Sequence, residues 1–365
     1  MLSVTLKGGR YRWGLMSTEP APHAEPAQPA QPPPVSVVMP VLDEERHLRE
    51  AVVGVLAQDY PGELELIMAL GPSRDRTDEI AAELEREHSQ VRSVRNPAGN
   101  TPAGLNAAVA AASHAIVVRV DGHALFPADY VRTAVEVLEE TKADNVGGIM
   151  AAEGVTVFEQ AVACAMTSPL GVGSARFHTG GEAGPADTVY LGVFRRDALE
   201  RVGGYDESFE RAQDWEMNLR IRQSGGTVWF TPRLRVSYRP RPDVRRLSRQ
   251  YFDYGRWRRV VMRQHPGSAS ARYLAPPAAL VAVAAGTACG IVGLATGSAV
   301  LRAGFLAPAG YLAGILAGSV VSGRGLAPGA LVRLPLVFAT MHGSWAVGFV
   351  TSPKRLGAAP DGSAG

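Results

Sequence analysis

The sequence predicts an α/β domain, a mainly parallel sheet with helices on both faces, followed by helices that cross a membrane. Two observations carry the first half. Between residues 35 and 121 short apolar runs alternate with stretches of helical spacing, and that alternation builds parallel sheets covered by helices. The runs end in polar loops carrying Pro, Gly, Ser and Asp, where open sheets of this kind bind ligands. The second half rests on charge. Residues 274–301, 303–323 and 334–353 form runs of 28, 21 and 20 residues without Asp, Glu, Lys or Arg. Each is long enough to cross a hydrocarbon core of about 30 Å.

Order is expected to begin at Val35. Residues 35–40 are a short, mostly apolar run, as in a buried strand. Residues 44–57 carry apolar side chains at 48, 52, 55 and 56, a helical spacing. A second strand is expected over 64–70, and a second helix over 77–87 with Ile80 and Leu84 inward. A third strand over 91–94, an alanine-rich helix over 102–113 and a fourth strand over 115–120 follow. Past residue 150 the pattern loosens. Residues 168–187, rich in Gly, Ser and Ala, read as a mobile loop and a candidate lid. A strand over 189–194, a short helix over 198–202, a turn at Gly203-Gly204-Tyr205-Asp206-Glu207, a helix at Asp214 and a strand over 227–230 complete the series.

The whole chain has 365 residues and a net charge of only +2, which hides its distribution. Between residues 236 and 266 nine arginines stand against Asp243 and Asp253, a local net of 9 − 2 = +7. Val244, Leu247, Tyr251, Tyr254, Trp257 and Val261 fall at helical spacing among them. This reads as a basic amphipathic helix lying on an anionic membrane face. The apolar runs that follow favour a membrane over nucleic acid as its partner. The two cysteines, Cys164 and Cys289, exclude a disulfide framework or a multi-cysteine metal site. Residues 1–34 carry no signal-peptide core and read as a disordered Pro/Ala-rich leader. The expected organisation is leader 1–34, α/β domain 35–238, basic interfacial segment 239–270, membrane domain 274–353 with about three spans, and tail 354–365.

Four constellations carry chemistry. Pro40-Val41-Leu42-Asp43-Glu44 ends the first strand, with acidic residues where a helix dipole favours them. Ser73, Asp75 and Thr77 are cap residues at a turn into a helix. Asp121-Gly122-His123 closes the fourth strand, and a carboxylate and imidazole two residues apart suit one divalent ion, Mg2+ or Mn2+. Asp214 and Glu216 stand just ahead of Leu219 and Ile221. Asp214 there is either an N-cap or a carboxylate at a cleft mouth that accepts a substrate proton.

Together with Asp75-Arg76-Thr77, Ala103-Gly104-Leu105-Asn106, the 203–209 turn, Gln213-Asp214-Trp215-Glu216 and residues 250–257, this ordered series resembles a family 2 glycosyltransferase. It is similar to the membrane-bound bacterial branch of succinoglycan-type exopolysaccharide transferases, over residues 36–265. The resemblance implies a nucleotide-diphospho-sugar transferase fold of the A type, a bound Mn2+ or Mg2+, and inversion at the anomeric carbon. By position, Pro40, Leu42 and Glu44 would line the nucleoside, with Ser73, Asp75 and Asn106 near the nucleotide or holding its loops. Asp121 and His123 would hold the metal, Asp121 also facing the donor, and Asp214 would be the catalytic base. Gln213, Gln250, Arg256 and Trp257 would lie on the acceptor or diphosphate side. The Gln250, Arg256, Trp257 set is spaced more widely than the motif of processive members, so processivity is not implied. Leu70 and Gly71 stand where the family has Asp, so the usual base or ribose contact is missing.

The expected protein is a multi-pass enzyme of the inner (plasma) membrane with a cytoplasmic catalytic domain. It would pass sugar from a nucleotide-diphospho-sugar to a lipid-linked or polysaccharide acceptor. The alternatives are a polyprenyl-phosphate sugar transferase and a non-catalytic membrane assembly subunit. Arginines at 239–263 belong in the cytosol by the positive-inside rule, and three spans would then leave Lys354 and Arg355 outside.

Overall fold

In the computed structural model, residues 31–357 are described, apart from His123 and Leu125. The leader up to residue 30 and the tail beyond 357 lie outside the described residues. Eight strands form one sheet: β1 (Val35–Val41), β2 (Leu64–Leu70), β3 (Val91–Arg95), β4 (Ile116–Arg119), β5 (Asn145–Ala152), β6 (Gly184–Pro185), β7 (Tyr190–Arg195) and β8 (Val228–Tyr238). Their spatial order is β3-β2-β1-β4-β7-β5-β8-β6. Strands β3, β2, β1 and β4 are parallel, β7 is antiparallel to both β4 and β5, β5 runs parallel to β8, and β6 caps the edge antiparallel to β8.

Alternation along each strand divides the core between the two faces. Val35, Val37, Met39, Leu66, Met68, Ile116 and Val118 pack with Leu48, Val52, Leu84 and Leu138. These come from α1 (Leu48–Leu56), α2 (Thr77–Glu87) and α4 (Tyr130–Thr141). Val38, Ile67, Ala69 and Val117 face Leu105, Leu199, Met217 and Ile221. Those belong to α3 (Thr101–Ala111), α8 (Arg196–Arg201) and α9 (Gln213–Gln223). Leu105 is fully buried, and truncating such a leucine to alanine costs about 2–5 kcal/mol.

The first four strands and three helices match the expected series to within a few residues. Helix α4, strand β5 and helix α5 (Val157–Met166) were not anticipated. In β5 the pair Gly147-Gly148 erases the alternation, and the register to β8 shifts between Gly147 and Ile149. A Cβ at Gly148 would lie 2.0 Å from the Leu234 carbonyl oxygen, so the strand needs glycine there.

Residues 168–187 are not the free loop expected. Ser168 caps α6 (Pro169–Val172), α7 (Arg176–Thr179) follows, and β6 closes the segment. Ser168 Oγ lies 2.9 Å from Ser322 Oγ, and His342 Nε2 lies 2.8 Å from the Leu170 carbonyl oxygen. Glycine content suggested mobility, but packing against the C-terminal helices holds the segment.

The C-terminal helices are α10 (Val244–Gln264), α11 (Ala271–Thr296), α12 (Ala299–Arg302), α13 (Leu306–Ser322) and α14 (Pro328–Thr351). Among the described residues three helical stretches are long and apolar enough to cross a membrane: 271–296, 299–322 and 328–351. Their surroundings differ. Helices α11 and α13 form a hairpin that leaves at Tyr273, against Trp215. It returns at Ser322, whose carbonyl accepts from Cys164 Sγ at 3.2 Å. Its exposed side chains include Val281, Ile291, Leu312 and Val320. Helix α14 instead runs alongside the α/β domain. Gly329 meets Val157 of α5 at its start. At its end Ser352 Oγ donates to the Arg256 carbonyl at 3.0 Å, and Arg263 donates to the Pro353 carbonyl at 2.8 Å.

Between these points α14 and α10 lie parallel, and backbone touches backbone. A Cβ on Gly255 would lie 2.0 Å from the Trp345 oxygen, and one on Gly348 2.0 Å from the Phe252 oxygen. The apolar face of α10, with Leu247, Tyr251, Trp257 and Val261 buried, is therefore covered by protein. Arg245, Arg246, Arg249 and Arg259 remain exposed on its outer side.

Candidate active site

Strand β4 delivers the central charge. Arg119 and Asp121 share a strand parity with Val117, which puts them on the α9 side of the sheet. The Arg119 side chain is only 5 % exposed. Its Nη2 lies 3.2 Å from Asp121 Oδ1, and its Nη1 donates to Asp214 Oδ1 in a short contact. One buried guanidinium thus joins two carboxylates that are 93 positions apart in sequence (214 − 121). Burial works against the Arg119 charge, but the Asp121 carboxylate, with Tyr205 and Tyr190, more than compensates and holds its pKa above the ordinary value.

Asp214 is not an N-cap. Helix α9 starts at Gln213, its cap position is Ala212, and no side chain caps it. Ala212 has φ 62°, a left-handed conformation uncommon for alanine. That turn sets Asp214 in the first helical turn, 29 % exposed, where the helix dipole also favours a negative charge. Two residues on, Glu216 has a different environment. It is 1 % exposed, receives Arg220 through Nε and Nη2 at 2.6 Å each, and lies 3.1 Å from His265 Nε2. It ties α9 to the end of α10.

The strand-end loops after β1 and β2 clasp each other. The Ser73 hydroxyl accepts from the Asp43 N–H at 3.1 Å, and the Thr77 hydroxyl from the Glu44 N–H at 2.8 Å. Asp75 accepts from the Glu45 N–H at 3.1 Å, and Asp43 from the Arg74 N–H at 2.7 Å. The Thr77 hydroxyl bond, with these backbone N–H groups, keeps Asp75 below the usual carboxylate pKa. Glu44 lies against Gly122, where a Cβ would come within 3.3 Å of Glu44 Cγ. Pro40 packs near Gly104 and Asn96. Leu42 is 41 % exposed over Gly71, whose added Cβ would stand 3.0 Å from Leu42 Cδ1. The floor where the family's Asp is missing is therefore apolar and close-packed.

Asn106 engages the 203–207 turn. Its Oδ1 accepts from the Tyr205 N–H at 2.8 Å, and its Nδ2 donates to the Tyr205 carbonyl at 2.8 Å and to Glu207 Oε1 at 2.9 Å. Gly204, at φ 75°, admits Asn106 because a Cβ would lie 2.7 Å from its Oδ1. Asn106 thus holds the turn that leads into α9.

Gln250 donates through Nε2 to the hydroxyls of Tyr238 at 2.7 Å and Tyr254 at 2.9 Å. Its Oε1 is buried with no partner among the described residues. Although Tyr254 is 40 % exposed overall, packing around its hydroxyl and the neighbouring Tyr238 push it up to about 12. Tyr190 is raised by burial and by the Asp121 charge. Trp257 is buried against Phe209, with ring centroids 5.9 Å apart, and Arg256 lies over Phe252 at 5.5 Å. Gln213 opens α9, and His123 lies outside the described residues.

The sequence reading missed Arg119 and the tyrosines. One signal was available for Arg119: it is the single charge in an otherwise apolar strand, 116–120. A buried strand tolerates such a charge only when it is paired.

Comparison with known proteins gives the family and the fold. A family model described as glycosyl transferase family 2 matches residues 36–203. Succinoglycan biosynthesis protein ExoA of Rhizobium meliloti is 33% identical over 242 residues, covering 66% of this chain and 73% of that protein. A dolichyl N-acetyl-alpha-D-glucosaminyl phosphate 3-beta-D-2,3-diacetamido-2,3-dideoxy-beta-D-glucuronosyltransferase of Methanococcus voltae is 24% identical over 239 residues, covering 63% of this chain and 74% of that protein. Among solved structures, a mannosyltransferase from Pyrobaculum calidifontis in complex with GDP-Man and Mn2+ superposes with TM-score 0.56 at 22% identity, covering 88% of this chain and 87% of that one. That likeness supports the A-type transferase fold.

Proposed function

Because the chain belongs to glycosyltransferase family 2, we propose that it is an inverting, metal-dependent transferase. It moves a sugar from a nucleotide-diphospho-sugar to a lipid-linked or polysaccharide acceptor at the cytosolic membrane face. The observation that carries this reading is the Asp121–Arg119–Asp214 bridge at the carboxyl end of β4. The clasped loops at 40–45 and 71–77 form the donor side, and α9 with the Gln250 tyrosine cluster forms the acceptor side.

Asp214 accepts the proton of the acceptor hydroxyl as its oxygen attacks the anomeric carbon. Arg119 fixes where that carboxylate stands before substrate arrives. Attack opposite the departing diphosphate inverts the anomeric centre. Asp121 suits a hard divalent ion: its side chain is 25 % exposed at a strand end, and such ions accept one or two carboxylates completed by substrate phosphates. Among the described residues no three His, Cys, Asp or Glu side chains cluster as a metal site; Asp121 would hold the ion, with His123 as the further candidate ligand and substrate oxygens completing its shell. When bound, the ion supplies Lewis-acid stabilisation of the leaving diphosphate. The mannosyltransferase solved with GDP-Man and Mn2+ supports this assignment. The archaeal relative, named for a dolichyl-linked sugar phosphate, supports a lipid-linked acceptor.

Helix α14 supports a membrane arrangement of two spans. Contacts with the α/β domain at its start, and at its end with α10, itself packed on that domain through Trp257 and Phe209, argue against a full crossing by α14 while that domain stays on one side. We read α11 and α13 as a two-span hairpin and α14 as an interfacial helix. Its exposed Val332, Leu336, Val347 and Val350 face lipid. Lys354 and Arg355 then return to the cytosolic side, as the positive-inside rule prefers. In inverted membrane vesicles, protease should remove a tag placed after residue 365; a tag accessible only in right-side-out vesicles would contradict two spans.

The transferase reading is tested by supplying UDP-, GDP- and dTDP-sugars to the purified membrane protein with Mn2+ or Mg2+. At least one donor should be turned over, and EDTA should abolish the reaction. No turnover of any donor in any metal, or turnover indifferent to EDTA, would overturn it.

A further inference from the structure

A second site stands where the α/β domain meets the first membrane helix. A cavity of about 460 Å3 is lined by Arg176 of α7, Arg222 of α9 and Arg272 of α11, with Asp187, Thr188 and Phe177 among its other walls. It is separate from the cleft: Arg222 is eight residues beyond Asp214, about 12 Å along the helix. Three arginines face one aspartate in its lining. Asp187 Oδ2 accepts from Arg272 at 3.3 Å, and Arg222 donates from Nε to the Asp187 carbonyl oxygen at 3.2 Å. Arg176 has no carboxylate partner among the described residues. Behind the cavity Arg258 is stacked between the Trp215 and Tyr273 rings, 4.3 and 4.2 Å from their centroids, and its Nη1 is buried with no partner among the described residues. This stack joins the base-bearing turn of α9 to the start of α11.

We propose that this cavity seats the phosphate end of a membrane-borne lipid, a polyprenyl-type diphosphate that carries the acceptor glycan. The proposal rests on the transferase reading above for the glycan, but the anion chemistry stands by itself. Excess positive charge on arginine forks matches phosphate oxygens two at a time. Arg272 is the second residue of the first membrane helix, which sets the cavity at headgroup level. Leu170 and Leu274, exposed at 38% and 43%, offer an apolar exit for the lipid chain. The acceptor sugar would then extend along α9 towards Asp214.

The test uses the full-length protein in phosphatidylcholine nanodiscs, with farnesyl diphosphate, inorganic pyrophosphate and phosphatidylglycerol as separate probes. Binding is read by Trp fluorescence, since Trp215 lies against the Arg258 stack. Farnesyl diphosphate should bind more tightly than either other probe. Its affinity should fall at least tenfold in the R176Q/R222Q/R272Q variant. Arg176→Glu, which removes no side-chain hydrogen bond among the described residues, should weaken it in the same direction. Donor hydrolysis without acceptor should be unchanged in both variants. Equal farnesyl diphosphate binding by wild type and Arg176→Glu would overturn the proposal. So would pyrophosphate or phosphatidylglycerol binding as tightly as the lipid diphosphate. Arginine-dependent lipid binding in a protein that turns over no donor would support this site while removing the transferase reading.

Discussion

On the donor side of the cleft each loop is held by its neighbour. Ser73, Thr77, Asp75 and Asp43 exchange hydrogen bonds with backbone N–H groups of the facing loop, all within the 40–45 and 71–77 segments. On the α9 side the base candidate is held by one buried side chain from a different element, Arg119 of β4. The donor side therefore has redundancy, because several bonds of about 1 kcal/mol each share the task. The Asp214 carboxylate has a single side-chain fastening among the described residues. Loss of one donor-side bond should be tolerated, whereas loss of Arg119 should not.

Arg119→Met is the sharpest way to break this contrast. It leaves Asp121 and Asp214 without their shared cation, and transfer should fall about a hundredfold or more, the scale of a misplaced general base. The fall should appear in kcat rather than in donor KM. Arg119→Lys restores charge without the fork and should recover only part of it. Transfer by Arg119→Met within a few-fold of wild type would remove the bridge from the account.

Glu216→Gln tests the other carboxylate of the same helical turn. Removing one partner of a buried pair costs about 3–5 kcal/mol, so the variant should unfold at clearly lower temperature. Its folded fraction should still bind donor. Unchanged thermal stability would mean that Glu216 does not tie α9 to α10 as its Arg220 and His265 contacts imply.

Much of the donor half was legible in the sequence because its structure is local. Strands of seven apolar-rich residues, β1 and β2, end in cap residues, and the loops they support are neighbours in the sheet. Period and punctuation suffice there. Strand β5 escaped because Gly147 and Gly148 answer to a bulge and to Leu234 rather than to alternation. The role of Arg119 depends on Asp214, 95 residues away, and no local pattern encodes that distance. Composition identified three helices able to cross a membrane. It did not reveal that Gly348 brings α14 onto the Phe252 backbone of α10. The residue pattern around Asp214 also allowed an N-cap, and the Ala212 turn decides against it.

The central claim is that Asp214 takes the acceptor proton. Its most direct test is Asp214→Asn, which keeps shape and removes the basic oxygen, assayed for donor binding and for transfer in the same preparation. The account predicts nucleotide-sugar affinity within a few-fold of wild type and transfer reduced by about 10²–10⁴, the usual contribution of a positioned base. Near-wild-type transfer by Asp214→Asn would contradict it.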